Sequence, residues 1–203
     1  FSRLGVITNT LATRHGNGLT RATRLETALT RDFPQRMQTL TVGDAISDPG
    51  SFGSALRFAG VKLEKNFAMR PDLVTTPMLV ASGTAVVPSA VDIFVNSQRV
   101  LSSDVLPGPF VIDNLPGITG AGDVRVVVRD ATGREQVLVQ PFYSSPNLLS
   151  AGLNQYSFSF GRVREDYSLR NFRYGPWTGS ATWRRGIRDG LTVESHVEYL
   201  QGD

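Results

Sequence analysis

The chain has 203 residues, of which 40% are hydrophobic and 19% are charged, with a formal net charge of +3 and no cysteine. This composition excludes a disordered tail, and the lack of cysteine excludes disulfides, thiol catalysis and a cysteine-based zinc site. No apolar run reaches the ~18 residues of a transmembrane helix, and the basic residues are too dispersed for a nucleic-acid surface. The sequence starts without the features of a signal peptide, so we expect a piece of a longer protein.

The part before residue 75 is predicted to form about four strands. Residues 24–33 alternate between a mainly apolar and a mainly polar face, with Ala28 and Arg31 as exceptions. Turn-forming residues occupy 15–18, 34–35 and 47–50. They separate this segment from further predicted strands near 4–13, 37–46 and 54–67.

Between residues 76 and 142 the strand-like segments become short and rich in valine. They are predicted at 80–87, 91–95, 98–102, 110–113, 123–129 and 134–140, and about six short strands in ~65 residues are typical of an immunoglobulin-like sandwich. The expected core consists of Val91, Ile93, Val95, Val124, Val126, Val128, Val137 and Val139. A tight corner is predicted at Leu106, Pro107, Gly108, Pro109 and Phe110, because two prolines restrict the backbone around a glycine.

From residue 143 onward the long alternating pattern returns, over about three strands. Residues 154–160 place aromatic side chains on one face, and 170–186 form a second segment flanked by aromatic residues. In the last segment Leu191, Val193, Val197 and Tyr199 share one face, whereas Glu194, His196 and Glu198 share the other.

Repetition of this pattern over six or seven segments is how a transmembrane β-barrel encodes an apolar outside and a polar inside. The pattern alone leaves a soluble sandwich or barrel equally open. Trp177 and Trp183 stand near segment ends, which favours an interfacial aromatic belt over a sugar-stacking site.

No pattern of catalytic or ligand-binding residues emerges from the sequence. The two histidines lack the paired spacing of a metal site. Glu194 and His196 simply occupy alternate positions of a polar strand face, and the glycine-rich run 117–122 is followed by a strand rather than a helix. We therefore predict neither an enzyme nor a metal or cofactor site.

Five runs carry a resemblance to a known family: LTVGDA at 40–45, FAGV at 58–61, LPGPFVIDNL at 106–115, GDVRVVV at 122–128 with Asp130 and Gly133 after it, and PFYSSPNLL at 141–149. In this order they resemble the central part of an outer-membrane fimbrial usher, the assembly platform of the chaperone-usher pilus pathway. The similarity extends over almost the whole chain.

This resemblance implies an all-β fold, in which a wide antiparallel barrel in the outer membrane of a Gram-negative bacterium carries an inserted sandwich plug. It implies barrel strands at 1–75, the plug at 76–142 and further barrel strands at 143–203. About seven strands are too few to enclose a sandwich, so the chain would be a fragment.

The implied function is a gated channel that translocates pilus subunits and is closed by the plug at rest. The implied partners are periplasmic chaperone–pilin complexes and outer-membrane lipid, with no nucleic acid and no small-molecule substrate. Predicted plug hinges are Arg70, Pro71, Pro77, Pro141 and Pro146, and predicted lumen-facing residues are Arg24, Glu26, Asp32, Glu194, His196 and Glu198. The alternative function is a soluble or surface-attached sandwich that serves in adhesion.

Overall fold

A computed structural model describes residues 5–16, 19–115 and 119–202 of the chain. The fold is all-β, as predicted, and its elements are β1 (Val6–Gly16), β2 (Leu19–Phe33), β3 (Gln38–Ile46), β4 (Arg57–Lys65), β5 (Leu79–Ala85), β6 (Ser89–Val95), β7 (Gln98–Val105), β8 (Gly108–Leu115), β9 (Gly120–Asp130), β10 (Glu135–Ser144), β11 (Asn154–Arg164), β12 (Tyr174–Arg188) and β13 (Leu191–Leu200). Two single-turn 3₁₀ helices, Pro34–Arg36 and Phe67–Met69, complete the set. None of the helices in the described ranges is long and apolar enough to cross a membrane.

Seven long strands form one sheet in the order β1-β2-β3-β4-β11-β12-β13. The pairs from β1–β2 to β11–β12 are antiparallel, and most neighbours in space are also neighbours in sequence. The exception is the pair of β4 and β11, which is joined by a long insertion. The chain therefore leaves the sheet after β4 and returns beside the strand that it left.

The insertion folds into a sandwich of two sheets, one with the order β10-β9-β6-β7 and one made of β5 and β8. Its core is built from Leu79, Ala81, Ala85, Val91, Ile93, Val95, Leu115, Val124, Val126 and Val128. Six of the eight predicted core residues are therefore buried.

Val137 and Val139 were wrongly predicted as core residues, since they are 52% and 59% exposed. They lie opposite Val127 and Arg125, on the outer face of the sheet. Leu138 packs against the core instead. Alternation of apolar residues in an edge strand does not show whether its odd or its even positions face the core. A shift by one residue moves every side chain to the other face.

The contacts divide the chain into two compact units. The first contains residues 1–73, 153–185 and 193–203, and the second contains 74–152 and 186–192. The second unit thus takes in residues 143–152 and 186–192, which the sequence prediction assigned to barrel strands.

Some predictions fall on residues outside the described ranges. These are the first residue of the strand near 4–13, residues 17 and 18 of the turn at 15–18, and residues 117 and 118 of the glycine-rich run. For the second segment after residue 143, the strand begins at Tyr174 rather than at residue 170.

Candidate functional site

One face of the seven-stranded sheet exposes apolar side chains. Residues that lie opposite each other in an antiparallel ladder share a face, so the register defines rows of side chains across the sheet. One row consists of Ile7, Leu29, Val42, Val61 and Phe160. Its members are all exposed, from 38% for Leu29 to 75% for Ile7. We call this side the apolar face; continuous exposed apolar rows of this kind mark contact with lipid or with another protein.

The opposite side, which we call the polar face, carries hydrophilic side chains. One of its rows consists of Asp32, Thr39, Glu64, Ser157 and Thr182. Thr39, Ser157 and Thr182 are buried although they are polar. The sheet therefore exposes its apolar residues and covers its polar ones, which is the reverse of a water-soluble sheet and the arrangement of a transmembrane barrel wall.

Aromatic residues lie at both ends of the apolar face. At one end Tyr156 lies opposite Trp183, and at the other Trp177 stacks on Phe160 with ring centroids 5.2 Å apart. Trp177 lies opposite Arg162, and the stretch of β11 from Tyr156 to Arg162 spans about 20 Å at ~3.3 Å per residue. Girdles of aromatic residues flanking an apolar band of ~25 Å are characteristic of outer-membrane barrels.

The β3–β4 loop, residues 47–56, lies on the polar face against β12 and β13. The backbone N–H and the hydroxyl of Ser51 donate to the Glu194 carboxylate at 2.6 and 2.7 Å. Thr182 Oγ1 donates to the Asp48 carbonyl at 3.0 Å, and the Ser54 N–H donates to Glu198 at 3.3 Å. Side chains of two strands far along the chain thus hold this loop.

His196 lies at the centre of the same cluster. Its two ring nitrogens lie 2.8 Å from the Thr182 hydroxyl and 2.8 Å from the Glu198 carboxylate. Arg184 lies 3.2 Å from Glu194. A Cβ atom on Gly53 of the loop would collide with the His196 and Glu198 side chains, so glycine permits the close approach.

Three of the six residues predicted to face a lumen, Glu194, His196 and Glu198, thus come together on the polar face. Alternation along β13 indicates which residues share a face. It carries no information on a loop that lies some 140 residues earlier in the chain, so these contacts could not be predicted.

Arg24, Glu26 and Asp32 lie apart from that cluster on β2. Asp32 accepts a hydrogen bond from Thr39 at 2.7 Å, and Glu26 accepts one from Thr10 at 3.3 Å. A bulge interrupts the alternation here, because Thr10 lies opposite Glu26 while the next residue of β1 lies opposite Arg24. The period-two pattern that grouped Arg24 with Glu26 therefore breaks between them.

Arg24 instead organises a second cluster with the β11–β12 loop, residues 165–173. Its guanidinium donates to Asp44 at 2.5 Å and to the Tyr174 hydroxyl at 2.6 Å, and it lies 4.5 Å from the centre of the Phe172 ring. The Arg24 backbone N–H donates to the Asn171 side chain at 2.7 Å. The pairing of β2 with β3 stops at Ala28, so Arg24 lies beyond that ladder and the Asn171 side chain can accept its N–H.

In the sandwich, the predicted corner joins β7 to β8. Leu106 is 81% exposed, Pro107 lies between the strands, and Gly108 starts β8 with a φ of +129°, a conformation that favours glycine. Pro109 and Phe110 lie inside β8, where the Phe110 ring covers Gly83. The corner is thus shorter than predicted, and its second half is strand.

Of the predicted hinges, Pro141 is wrongly placed. It lies within β10 opposite Asp123, and an edge strand tolerates proline because one side of it needs no ladder hydrogen bonds. Pro71, Pro77 and Pro146 lie outside the strands. Arg70 ends a 3₁₀ helix and pairs with Asp72 at 2.8 Å, and this hydrogen-bonded guanidinium holds the pKa of Asp72 below its usual value.

Among the described residues, no group of three or more His, Asp or Glu side chains is arranged to hold a metal ion. Glu194, His196 and Glu198, which considered alone resemble acid–base groups, are engaged with the β3–β4 loop.

A comparison with models of protein families matches residues 6–197 to the family described as "Outer membrane usher protein". This chain belongs to the outer membrane usher family. The predicted resemblance and the predicted location in the outer membrane are confirmed. The match covers both the seven-stranded sheet and the sandwich, so the two units occur together in this usher family.

Two curated ushers illustrate the relation. The chain is 31% identical to the outer membrane usher protein FimC of Bordetella pertussis over 167 residues, which cover 82% of the chain and 19% of that protein. It is 32% identical to the outer membrane usher protein LpfC of Salmonella typhimurium over 168 residues, covering 82% of the chain and 19% of that protein. The chain thus spans about a fifth of the length of these relatives.

Among solved structures, the chain is similar to an E. coli P pilus tip assembly intermediate that contains PapC, PapD, PapK and PapG. The identity is 20% and the TM-score 0.48, with 96% of this chain and 24% of that chain covered.

Proposed function

We propose that this chain is a wall segment and plug of a gated outer-membrane channel that translocates pilus subunits. The observation that carries this proposal is the inverted sheet, whose apolar rows are exposed while Thr39, Ser157 and Thr182 of the polar face are buried. Such a sheet needs lipid on its apolar face and an aqueous interior on its polar face. Membership of the usher family supports pilus subunits as the proteins that this channel translocates.

The sandwich is proposed as the plug that closes the pore at rest. It is inserted between β4 and β11, which are adjacent in the sheet, so its movement need not break any strand pairing. The connecting segments contain Pro71, Pro77 and Pro146 outside the strands, and we propose these segments, with Arg70, as hinges. Solvent screens exposed ion pairs such as Arg70–Asp72, so they contribute little to stability, which suits segments that rearrange.

The proposed partners are periplasmic chaperone–pilin complexes and outer-membrane lipid. In this function the protein forms and breaks no covalent bond, so it is not an enzyme and takes no cofactor. The charged polar face, with Asp32, Glu64, Glu194 and Arg184, would provide a wet surface of mixed sign that a folded subunit passes without tight binding. The alternative of an isolated adhesion sandwich is not favoured, because the family match includes the sheet.

The test is removal of the sandwich from the complete usher that contains this segment. Deleting residues 78–144, from before β5 to the end of β10, should raise the ion conductance of the reconstituted channel, because the proposed plug is gone. The control is Val86→Ser, at a valine that is 87% exposed on the sandwich, which should leave conductance unchanged. Equal conductance of the deletion variant and the intact protein would contradict the gating role.

A further inference from the structure

Two arginines stand side by side at one end of the apolar face. Arg162 of β11 lies opposite Ala59 of β4 and opposite Trp177 of β12. Arg57 precedes Ala59 by two residues, so strand alternation places it on the same face. Diagonal neighbours of this kind are ~7 to 8 Å apart, within reach of each other's long side chains. Asp44 of β3 lies opposite Ala59 on the same face, and its carboxylate is paired with Arg24.

Aromatic contacts hold both guanidinium groups in place. Arg162 lies 6.0 Å from the centre of the Trp177 ring, and its Nε donates to the Gly175 carbonyl at 2.8 Å. Arg57 lies 4.0 Å from the centre of the Tyr167 ring. Because Nε of Arg162 is occupied, its two terminal amino groups remain to bind another acceptor.

Neither guanidinium has a carboxylate within ion-pair distance in the part of the chain that the structure describes, although both side chains are exposed. Arg24, Arg173 and Arg184 of the same unit all have one. Two neighbouring unpaired cations repel each other, and a shared anion removes that repulsion. A phosphate group suits this position, since arginine binds it with two parallel hydrogen bonds.

The surroundings indicate that this phosphate belongs to a lipid. Phe160 lies two residues before Arg162 on the same face of β11, and Val61 lies opposite Phe160. Both are exposed, so the cations stand directly above the apolar row. A headgroup phosphate at the arginines would place its acyl chains along that row, whereas a free anion would gain nothing from it.

We propose that Arg57 and Arg162 bind the phosphate of a lipid headgroup at the edge of the apolar face. Trp177 and Phe160 form the wall against which the first acyl segment lies. This site requires lipid at the apolar face and does not depend on subunit translocation or on gating.

The experiment uses the complete usher in a neutral detergent and native mass spectrometry to count bound short-chain phosphatidic acid. The double variant Arg57→Gln/Arg162→Gln should bind the lipid at least tenfold more weakly than the intact protein, because both donors to the phosphate are lost. The matched control is Arg99→Gln/Arg134→Gln, which removes the same charge from two exposed arginines of the sandwich and should bind the lipid normally.

Equal lipid binding by the double variant, or an equal loss in the control, would overturn the proposal. Displacement of the lipid by an equal concentration of inorganic phosphate would also overturn it, because the ligand would then be the free anion. If the double variant does not fold, Arg57→Gln alone must still weaken binding at least threefold. The variant Arg162→Lys, which keeps the charge but not the fork of donors, should give an intermediate affinity.

Discussion

The sandwich and the seven-stranded sheet use the same alternating sequence pattern with opposite burial. In the sandwich Val91, Ile93 and Val126 are fully buried. In the sheet, Val61 and Val197 are exposed, whereas Ser157 and Thr182 are covered. Alternation therefore specifies that a strand has an apolar and a polar face, but not which of them is exposed. The surroundings of the strand, water or lipid, determine which face is exposed.

The largest expected effect is in the sandwich core. Ile93→Ala should lower the free energy of unfolding of the sandwich by ~2 to 5 kcal/mol, since it leaves a cavity among buried valines. Hydrogen exchange of the peptides from β5 to β10 in the complete usher measures this loss. The control Val137→Ala, at an exposed valine on the outer face, should change it by less than ~0.5 kcal/mol.

An arginine substituted for each of two similarly exposed valines, one in the sheet and one in the sandwich, tests whether that position is surrounded by lipid or by water. Val197 of the sheet is 64% exposed and Val111 of the sandwich is 68% exposed. Val197→Arg should cost ~2 to 4 kcal/mol of folding in a bilayer if the position is near the midplane. Val111→Arg should cost less than ~0.5 kcal/mol, because the side chain stays in water.

Denaturant titration of the usher refolded into lipid vesicles gives both values. Equal costs at the two positions would show that Val197 does not face lipid, and the assignment of the apolar face would be wrong.

Most strands and most of their faces can be predicted from the sequence, because period-two alternation is local. The shared face of Glu194, His196 and Glu198 on β13 and the valine core around Ile93 are examples. Prediction fails where the phase of the alternation changes or is ambiguous. The bulge in β2 separates Arg24 from Glu26, and the edge strand β10 turns Val137 outward.

Contacts between distant segments were also beyond prediction. Nothing in the run 47–56 indicates that Ser51 donates to Glu194, or that Asn171 accepts from the Arg24 backbone. Such contacts depend on the order of strands in the sheet and on loop conformation, and neither can be derived from a single sequence. Pro141 is predicted as a hinge because its segment contains prolines and few strand-forming residues, although an edge strand accepts proline.

A smaller effect is expected from a buried hydroxyl of the polar face. Thr182→Val keeps the shape of the side chain but removes the hydrogen bonds to the Asp48 carbonyl and to His196, at a cost of ~1 to 3 kcal/mol. The β3–β4 loop should then exchange its amide hydrogens faster, whereas peptides of the sandwich should not change. If the amide exchange of the β3–β4 loop were the same in Thr182→Val and in the intact protein, the two hydrogen bonds of Thr182 would not be what holds the loop in place.

The smallest expected effect is a local pH response in the sandwich. The Asp130 carboxylate accepts hydrogen bonds from the Thr132 hydroxyl at 2.6 Å, from the Thr132 N–H at 2.8 Å and from the Arg134 N–H at 3.0 Å. These bonds, the hydroxyl first, hold the pKa of Asp130 below its usual value. A lowered pKa in the folded state means that the turn is stabilised above the ordinary pKa of ~3.9, and that this contribution is lost as the pH falls through the lowered value.

Amide exchange at Thr132 and Arg134 should therefore accelerate at acidic pH, after correction for the intrinsic pH dependence of exchange. In Asp130→Asn the corrected rates should be independent of pH, since an amide accepts hydrogen bonds without titrating. The exchange of β6 and β9 core amides should be the same in both proteins, because the hydrogen bonds of the Asp130 carboxylate all lie within the β9–β10 turn. A pH response that persisted in Asp130→Asn would assign the effect to another carboxylate, and the turn would then not depend on the charge of Asp130.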